Sequence, residues 1–466
     1  MKHLLKIALV LSVLLGQSVS ASANVLQEHK GRWMGDMKLP NGATIKFGAD
    51  LFTRADGSHW ASVASPDQGG YDIPVRRITH KADGVELDFS FATLQMRWAG
   101  DRFEGVNRQG DAVMPVTLTR VAEFPSKARA QTPKAPFPYT EQTLAIQSAP
   151  GVTLGATLAI PAGKAVGSVV VLVHGSGPQT RDTVNFGHRS FAVLSDYLAR
   201  RGIAVLRYDK RGIAYSSGDY EQHTLPDLAT DLGAVVKALK ARKQFSRIGV
   251  IAHSEGPEVT ARAAAADPQS IDFIVSMAGV GLNGLEALLV QDRVYAQDKG
   301  ANPAEADSLM IYVRKFYETI IAQPDAMVRE AALKALLAGQ SPEQKAMIAK
   351  YDMNQGTLSL DWAAKPFLRA SLMSDAPAYW RKVRCPVLAL NGTLDHQVPG
   401  KENLAGLVAA LRAGGNRKVE SAHMPSLNHA FQNAKTGRED EYAGIEETMA
   451  PAAMETIADF VRRQSR

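Results

Sequence analysis

The run Val169–Val173, five apolar residues of which four are valine, constrains this chain more than any other stretch. A strand apolar at every position has both faces in a core, whereas a strand with one wet face alternates. The run ends in a glycine loop, His174-Gly175-Ser176-Gly177. Downstream, "FAVLSDYLARRG" has helical spacing, "IAVLRYDKRG" is a second buried strand, and "LPDLATDLGAVVKALKAR" is helical again. The strand "RIGVIA", a helix over about 255–266 and the strand "DFIVSMAG" continue the rhythm. Strands alternating with helices predict an α/β fold, a mostly parallel sheet covered on both faces, with "GVTLGATLAIP" as an antiparallel strand at its start.

On either side the rhythm differs. Residues 24–122 carry short alternating segments such as "ATIKFGADLFT", "HWASVAS" and "PVTLTRV", separated by Asn-Gly and Asp-Gly turns. These predict a small antiparallel β-domain, barrel-like or sandwich-like, with Trp33, Trp60 and Trp98 in its core. Four prolines in "EFPSKARAQTPKAPFPY", residues 123–139, predict a semi-extended linker. From 285 to 383 the strand signal disappears and segments such as "PAEADSLMIYVRKFYETIIAQ" predict a helical insertion. The sheet pattern resumes at "CPVLALNGTLDHQVP" and ends in the helix "METIADFVRRQSR", so the α/β domain comprises residues 140–284 and 384–466.

The first 23 residues read as a secretory leader: Lys2 and Lys6, an apolar run from Ile7 to Leu15, and the small-x-small site Ala21-Ser22-Ala23. Export to the periplasm or the medium is the expectation. The apolar run is too short to span a bilayer comfortably, and no later segment predicts membrane insertion. A formal charge of +6 without a basic block gives no reason to expect nucleic acid as a partner. A single cysteine, Cys385, excludes an intramolecular disulfide and is expected as a buried strand residue.

The chemistry centres on "AHSEGP", Ala252–Pro257, which follows a strand and precedes a helix. It is a G-x-S-x-G nucleophile elbow in which Ala252 replaces the first glycine and Pro257 falls in the first helical turn. Taken alone, Ser254 could equally be a helix cap. The glycine loop after Val173 supplies backbone amides for a developing oxyanion, with Ser176 favoured over Gly177, and the Glu255 amide is the second donor. The phosphate-loop pattern is absent. In the order this mechanism expects, Asp395 follows as the acid, with Glu402 a weaker candidate, and a histidine comes last. His396 adjoins Asp395 and is poorly placed to face it. His423 could lie in a strand, and His429 in the loop beyond is the candidate base. His174 precedes the nucleophile and is expected to be structural.

These stretches together resemble the α/β-hydrolase superfamily, in particular exported bacterial carboxylesterases. "HGSGPQTRD", "FAVLSDYLARRGIAVLRYDKRGIAYSSGD", "AHSEGP" and "NGTLDHQVP" are similar to that group's signatures over residues 140–466. The resemblance implies a catalytic triad of Ser254, Asp395 and His429, an oxyanion hole from the Ser176 and Glu255 amides, and a helical cap over 285–383. It implies cleavage of a small-molecule carboxylic ester through an acyl-serine, with no metal or organic cofactor and with a homodimer allowed. An aminopeptidase or thioesterase of the same fold is the alternative within hydrolases; a non-catalytic binding protein is the alternative outside them.

Overall fold

The computed structural model describes residues 25–465 apart from 82–83, 90–91, 127–128, 164–166, 352 and 354–356. The leader expected over 1–23 lies outside the described residues. The N-terminal strands are β1 (Gly31–Lys38), β2 (Thr44–Thr53), β3 (His59–Ser65), β4 (Gly70–Pro74), β5 (Arg77–Lys81), β6 (Gly84–Phe89), β7 (Ala92–Trp98), β8 (Phe103–Gln109) and β9 (Ala112–Val121). They form one nine-stranded antiparallel sheet in the order β4-β3-β2-β1-β9-β8-β7-β6-β5. Its two edges, β4 and β5, are separated by only Val75 and Arg76 in sequence. A chain that short can join opposite edges only if the sheet curls, so the domain is a half-barrel. The Phe47 and Phe89 rings, on β2 and β6, accordingly meet inside at 6.2 Å. Trp33 is buried in this core, whereas Trp60 and Trp98 are only half-buried. Trp98 stacks on His29 at 3.7 Å, and Arg54 covers the Trp60 ring at 3.9 Å.

The second sheet has eight strands. β10 (Tyr139–Ala149) and β11 (Val152–Pro161) form an antiparallel edge. β12 (Ser168–Val173), β15 (Ala204–Tyr208), β16 (Arg247–His253), β17 (Phe273–Met277), β18 (Val387–Gly392) and β19 (Val419–Met424) are parallel. A two-stranded hairpin, β13 (Val184–Asn185) and β14 (His188–Arg189), stands apart. Along β12, Val169, Val171 and Val173 enter one apolar layer while Val170 and Leu172 enter the other. Helices α2 (Leu225–Ala241) and α3 (Gly256–Ala266) cover the first face; α1 (Ser190–Ala199) covers the second with the C-terminal helix (Pro451–Gln464).

Between β17 and β18 the chain forms α4 (Gly284–Asp298), α5 (Pro303–Ala322), α6 (Ala326–Ala338), α7 (Pro342–Lys350), α8 (Leu360–Ala363), α9 (Pro366–Leu372) and α10 (Ala376–Trp380). α11 (Gly400–Ala413) follows β18, and the C-terminal helix is α12. Asn302-Pro303 and Ser341-Pro342 start α5 and α7 as capping boxes with proline in the first turn. The helical unit has its own core around Phe316, Tyr317 and Leu333. No helix among the described residues is long and apolar enough to cross a membrane. Cys385 corrects one expectation: it is half-buried and lies two residues before β18. Pro386 has no N–H for the ladder, so pairing begins at Val387. Burial pushes the Cys385 thiol up to about 12.

Asp292 is 4% exposed within the helical core and accepts hydrogen bonds from Tyr317 and Thr357, each at 2.7 Å. Burial raises its carboxyl to about 6. A carboxyl that holds its proton more tightly when folded makes stability fall as pH rises from about 4 to about 6. Asp292→Asn is expected to flatten that fall and to be more stable than the wild type by about 1–3 kcal/mol at pH 7. Denaturant titrations of both proteins at pH 4 and pH 7 measure it; equal pH dependence would contradict the assignment.

Candidate active site

From β12 the chain passes to β15 on one side, then crosses to β16 on the other. The crevice between β12 and β16 is therefore the switch point of the sheet, where open α/β sheets bind ligands. Parallel register sets Val173 beside Ala252. Two residues further, a Cβ on Gly175 would lie only 2.8 Å from the Cβ of Ser254. Only glycine lets the loop pass this close.

Ser254 has φ of 59°, a left-handed conformation costly for a side-chain-bearing residue. Its amide donates to the Met277 carbonyl at 2.9 Å, tying the turn to β17. The turn packs tightly because a Cβ on Gly256 would meet the Val173 carbonyl oxygen at 2.5 Å. Ala252 is fully buried and Pro257 sits in the first turn of α3.

The structure brings Ser254, His429 and Asp395 into one hydrogen-bonded chain. His429 Nε2 is 3.1 Å from Ser254 Oγ, and Nδ1 is 3.0 Å from both Asp395 oxygens. Asp395 also accepts from the Asn391 amide at 2.9 Å and from the Gln397 and Val398 backbone at 3.0 and 2.8 Å. A carboxylate accepts only, so it fixes the proton on Nδ1 and leaves Nε2 to receive the serine proton. Asp395 and His429 are both buried. The amides of Ser176 and Glu255 donate to no protein acceptor among the described residues. Gly177 has φ of 88° and turns the loop away.

The remaining candidates are elsewhere. Glu402 is on α11, His423 is in β19, and His396 Nδ1 pairs with Asp298 at 2.8 Å. His174 donates to the Tyr208 carbonyl at 2.6 Å; burial, with help from the nearby Lys210 charge, lowers it to about 3. His253, which the sequence reading passed over, donates from Nε2 to the His429 carbonyl at 2.8 Å. Burial and the neighbouring His429 lower His253 to about 4, so it is a neutral donor near pH 7. No group of three metal-ligating side chains occurs among the described residues.

A cavity of about 240 Å³ opens at Ser254. One wall is the β13–β14 hairpin with Phe186 and His188; another is the 429–449 segment with Tyr442 and Met449. None of the described lining residues comes from the helical unit. The proline-rich linker is not loose beside it. Arg129, 3% exposed, donates to Phe186 O and Ala443 O at 3.2 and 2.9 Å, and Gln131 pairs with the Thr448 and Met449 backbone. Both walls thus hang on the linker. Its buried arginine was hidden in a polar, proline-rich composition.

The family Hydrolase_4, described as serine aminopeptidase, S33, matches residues 164–435. The chain belongs to this family. Esterase EstD of Thermotoga maritima is 33% identical over 294 residues, covering 63% of this chain. The chain spans 60% of the length of that curated relative. Solved structures that align with this chain include an esterase of Pyrococcus furiosus, 16% identical over 70% of this chain and 91% of that one, TM-score 0.42. Est1E of Butyrivibrio proteoclasticus with ferulic acid is 18% identical over 69% and 98%, TM-score 0.41. A proline iminopeptidase of Mycobacterium smegmatis is 15% identical over 70% and 99%, TM-score 0.41.

Within this family member the elbow's second glycine is the constrained one. Gly256→Ala is expected to lower stability by about 1–3 kcal/mol, because the new methyl must push α3 from β12. Urea midpoints measure this; an unchanged midpoint would show that the turn relaxes freely.

Proposed function

We propose that this protein is a serine hydrolase that cleaves carboxylic esters through an acyl-serine intermediate. The observation that carries the reading is the hydrogen-bonded chain from half-buried Ser254 through buried His429 to buried Asp395 at the sheet's switch point. His429 Nε2 takes the Ser254 proton as Oγ attacks the ester carbonyl, and Asp395 stabilises the imidazolium. The Ser176 and Glu255 amides receive the tetrahedral oxyanion. The imidazolium returns its proton to the leaving alcohol, and water then repeats the sequence to release the acid. The identity shared with esterase EstD supports ester over amide. A peptidase of this design needs a carboxylate cluster for the substrate amine. The cavity offers one carboxylate among its described lining, Glu439, already bound by Gln397 Nε2 at 3.0 Å.

The helical unit serves as the cap by bracing the site's rim. Asp298 on α4 holds His396, next to the acid, and its carbonyl accepts from Arg438 at 2.8 Å. The leader pattern read in residues 1–23 supports a reaction outside the cytoplasm.

Ser254→Ala is expected to abolish both p-nitrophenyl ester hydrolysis and fluorophosphonate labelling. Labelling that survived the substitution would sink the assignment. Asp395→Asn is expected to lower kcat by about 10⁴-fold through the wrong imidazole tautomer. Ser254→Ala with His429→Ala together should cost little more than either alone. A panel of p-nitrophenyl esters, thioesters and aminoacyl amides separates the esterase from its alternatives.

A further inference from the structure

Lys210 follows β15 in the turn Asp209-Lys210-Arg211-Gly212, and its side chain is 2% exposed. Its ammonium donates to the Gly175 carbonyl at 2.8 Å and to Glu255 Oε1 at 3.0 Å. Its backbone amide donates to the Gln179 carbonyl at 3.1 Å. Gly175 C=O and Ser176 N–H are the two ends of a single peptide group. Glu255 carries the other oxyanion amide on its own backbone. One buried cation therefore joins the loop after β12 to the turn after β16, at the two residues whose amides face the developing charge.

The turn that carries Lys210 is itself fixed. Asp209 is fully buried and accepts from the Arg181 amide at 2.7 Å and the Tyr215 amide at 3.2 Å. Arg211 forms a buried pair with Asp231 at 2.7 Å. A buried ion pair is weak support for stability, since an apolar pair of the same shape often serves as well or better. Here the pair is also incompletely satisfied, because Glu255 Oε2 has no partner among the described residues. Hydrogen bonds in a chain polarise one another in a low dielectric. A cation on the Gly175 carbonyl draws electron density along that peptide and makes the Ser176 N–H a stronger donor.

We propose that Lys210 is a positioning residue of the oxyanion hole. It fixes the Gly175–Ser176 peptide and the Glu255 turn relative to each other and polarises the first of them. The inference rests on the serine-hydrolase reading of Ser254.

Lys210→Met keeps the stem and removes the charge. Measured per fluorophosphonate-titrated site, kcat/KM for p-nitrophenyl butyrate is expected to fall about 10- to 100-fold, below the loss of a whole oxyanion donor. An alkyl trifluoromethyl ketone, which forms an oxyanion on Ser254, should bind weaker by a similar factor. The matching methyl ketone, which does not, should bind as to the wild type. Glu255→Gln retains an acceptor for the ammonium and is expected to shift the same two quantities in the same direction by a smaller factor. That variant decides the matter if Lys210→Met does not fold. Equal weakening of both ketones, or kcat/KM per titrated site within twofold of wild type, overturns the proposal. Ser254→Ala separates the two failures. If it stays active, the hydrolase reading falls; if it is inactive while Lys210→Met turns over normally, only the role of Lys210 falls.

Discussion

The parallel pairing of β12 with β16 is the contact on which the rest of the site depends. Its register, Val173 beside Ala252, decides that the glycine loop and the elbow leave the sheet side by side. The valine run suits either layer, so the register is pinned where the strands end, by Gly175 against the Ser254 Cβ and Gly256 against the Val173 carbonyl oxygen. Three residues of the run fill one apolar layer and two fill the other, and both layers are complete. The valine run thus buries the strand in the sheet, and the two glycine contacts set where the backbone amides lie along it.

Around that pairing, other parts of the chain hold what the sheet cannot. The half-barrel docks through Arg54, which donates to the Gly212 and Ala214 carbonyls at 2.9 and 3.2 Å, and through the Ala55 amide on the Tyr215 carbonyl at 2.8 Å. These are the residues immediately after Lys210, so the N-terminal domain buttresses the turn that supplies the buried ammonium. The linker then crosses the α/β domain and fixes the hairpin and the 443–449 segment with two polar side chains. A domain and a linker remote in sequence therefore both bear on the crevice that holds Ser254.

What could be read from sequence were features with local causes. Asn41-Gly42 and Asp56-Gly57 close hairpins because glycine takes positive φ there, and the residues flanking them alternate. The elbow, the acid loop and the histidine loop each follow a strand, so the elbow pattern and chain order together nominate residues that lie within hydrogen-bonding distance. Features with distant causes were not legible. Lys210 meets Glu255 across 45 positions and Arg129 meets Ala443 across 314, and neither partner is marked by spacing or composition. The two-residue strands of the pocket hairpin are too short for any periodicity to register. His253 looked like part of the elbow pattern, though its ring holds the His429 carbonyl.

The elbow's departures from G-x-S-x-G follow from the same packing. The two glycines of that pattern face different constraints. At the second, backbone oxygen of β12 stands where a methyl would go, so Gly256 stays glycine. At the first, Ala252 points into the apolar layer beside Val173 and Val250, where a methyl fills space and adds contact. Pro257 lacks an N–H at a helical position whose N–H would have no intrahelical partner. Its ring then occupies room near β17, and a Cβ on Gly279 would meet the Pro257 Cβ at 2.9 Å. A Cβ at 279 would come closer still to Ser276 Oγ, so glycine is required there whether or not residue 257 is proline. The strained serine of the elbow keeps its φ because the Met277 carbonyl and the Gly175 backbone hold it from both sides.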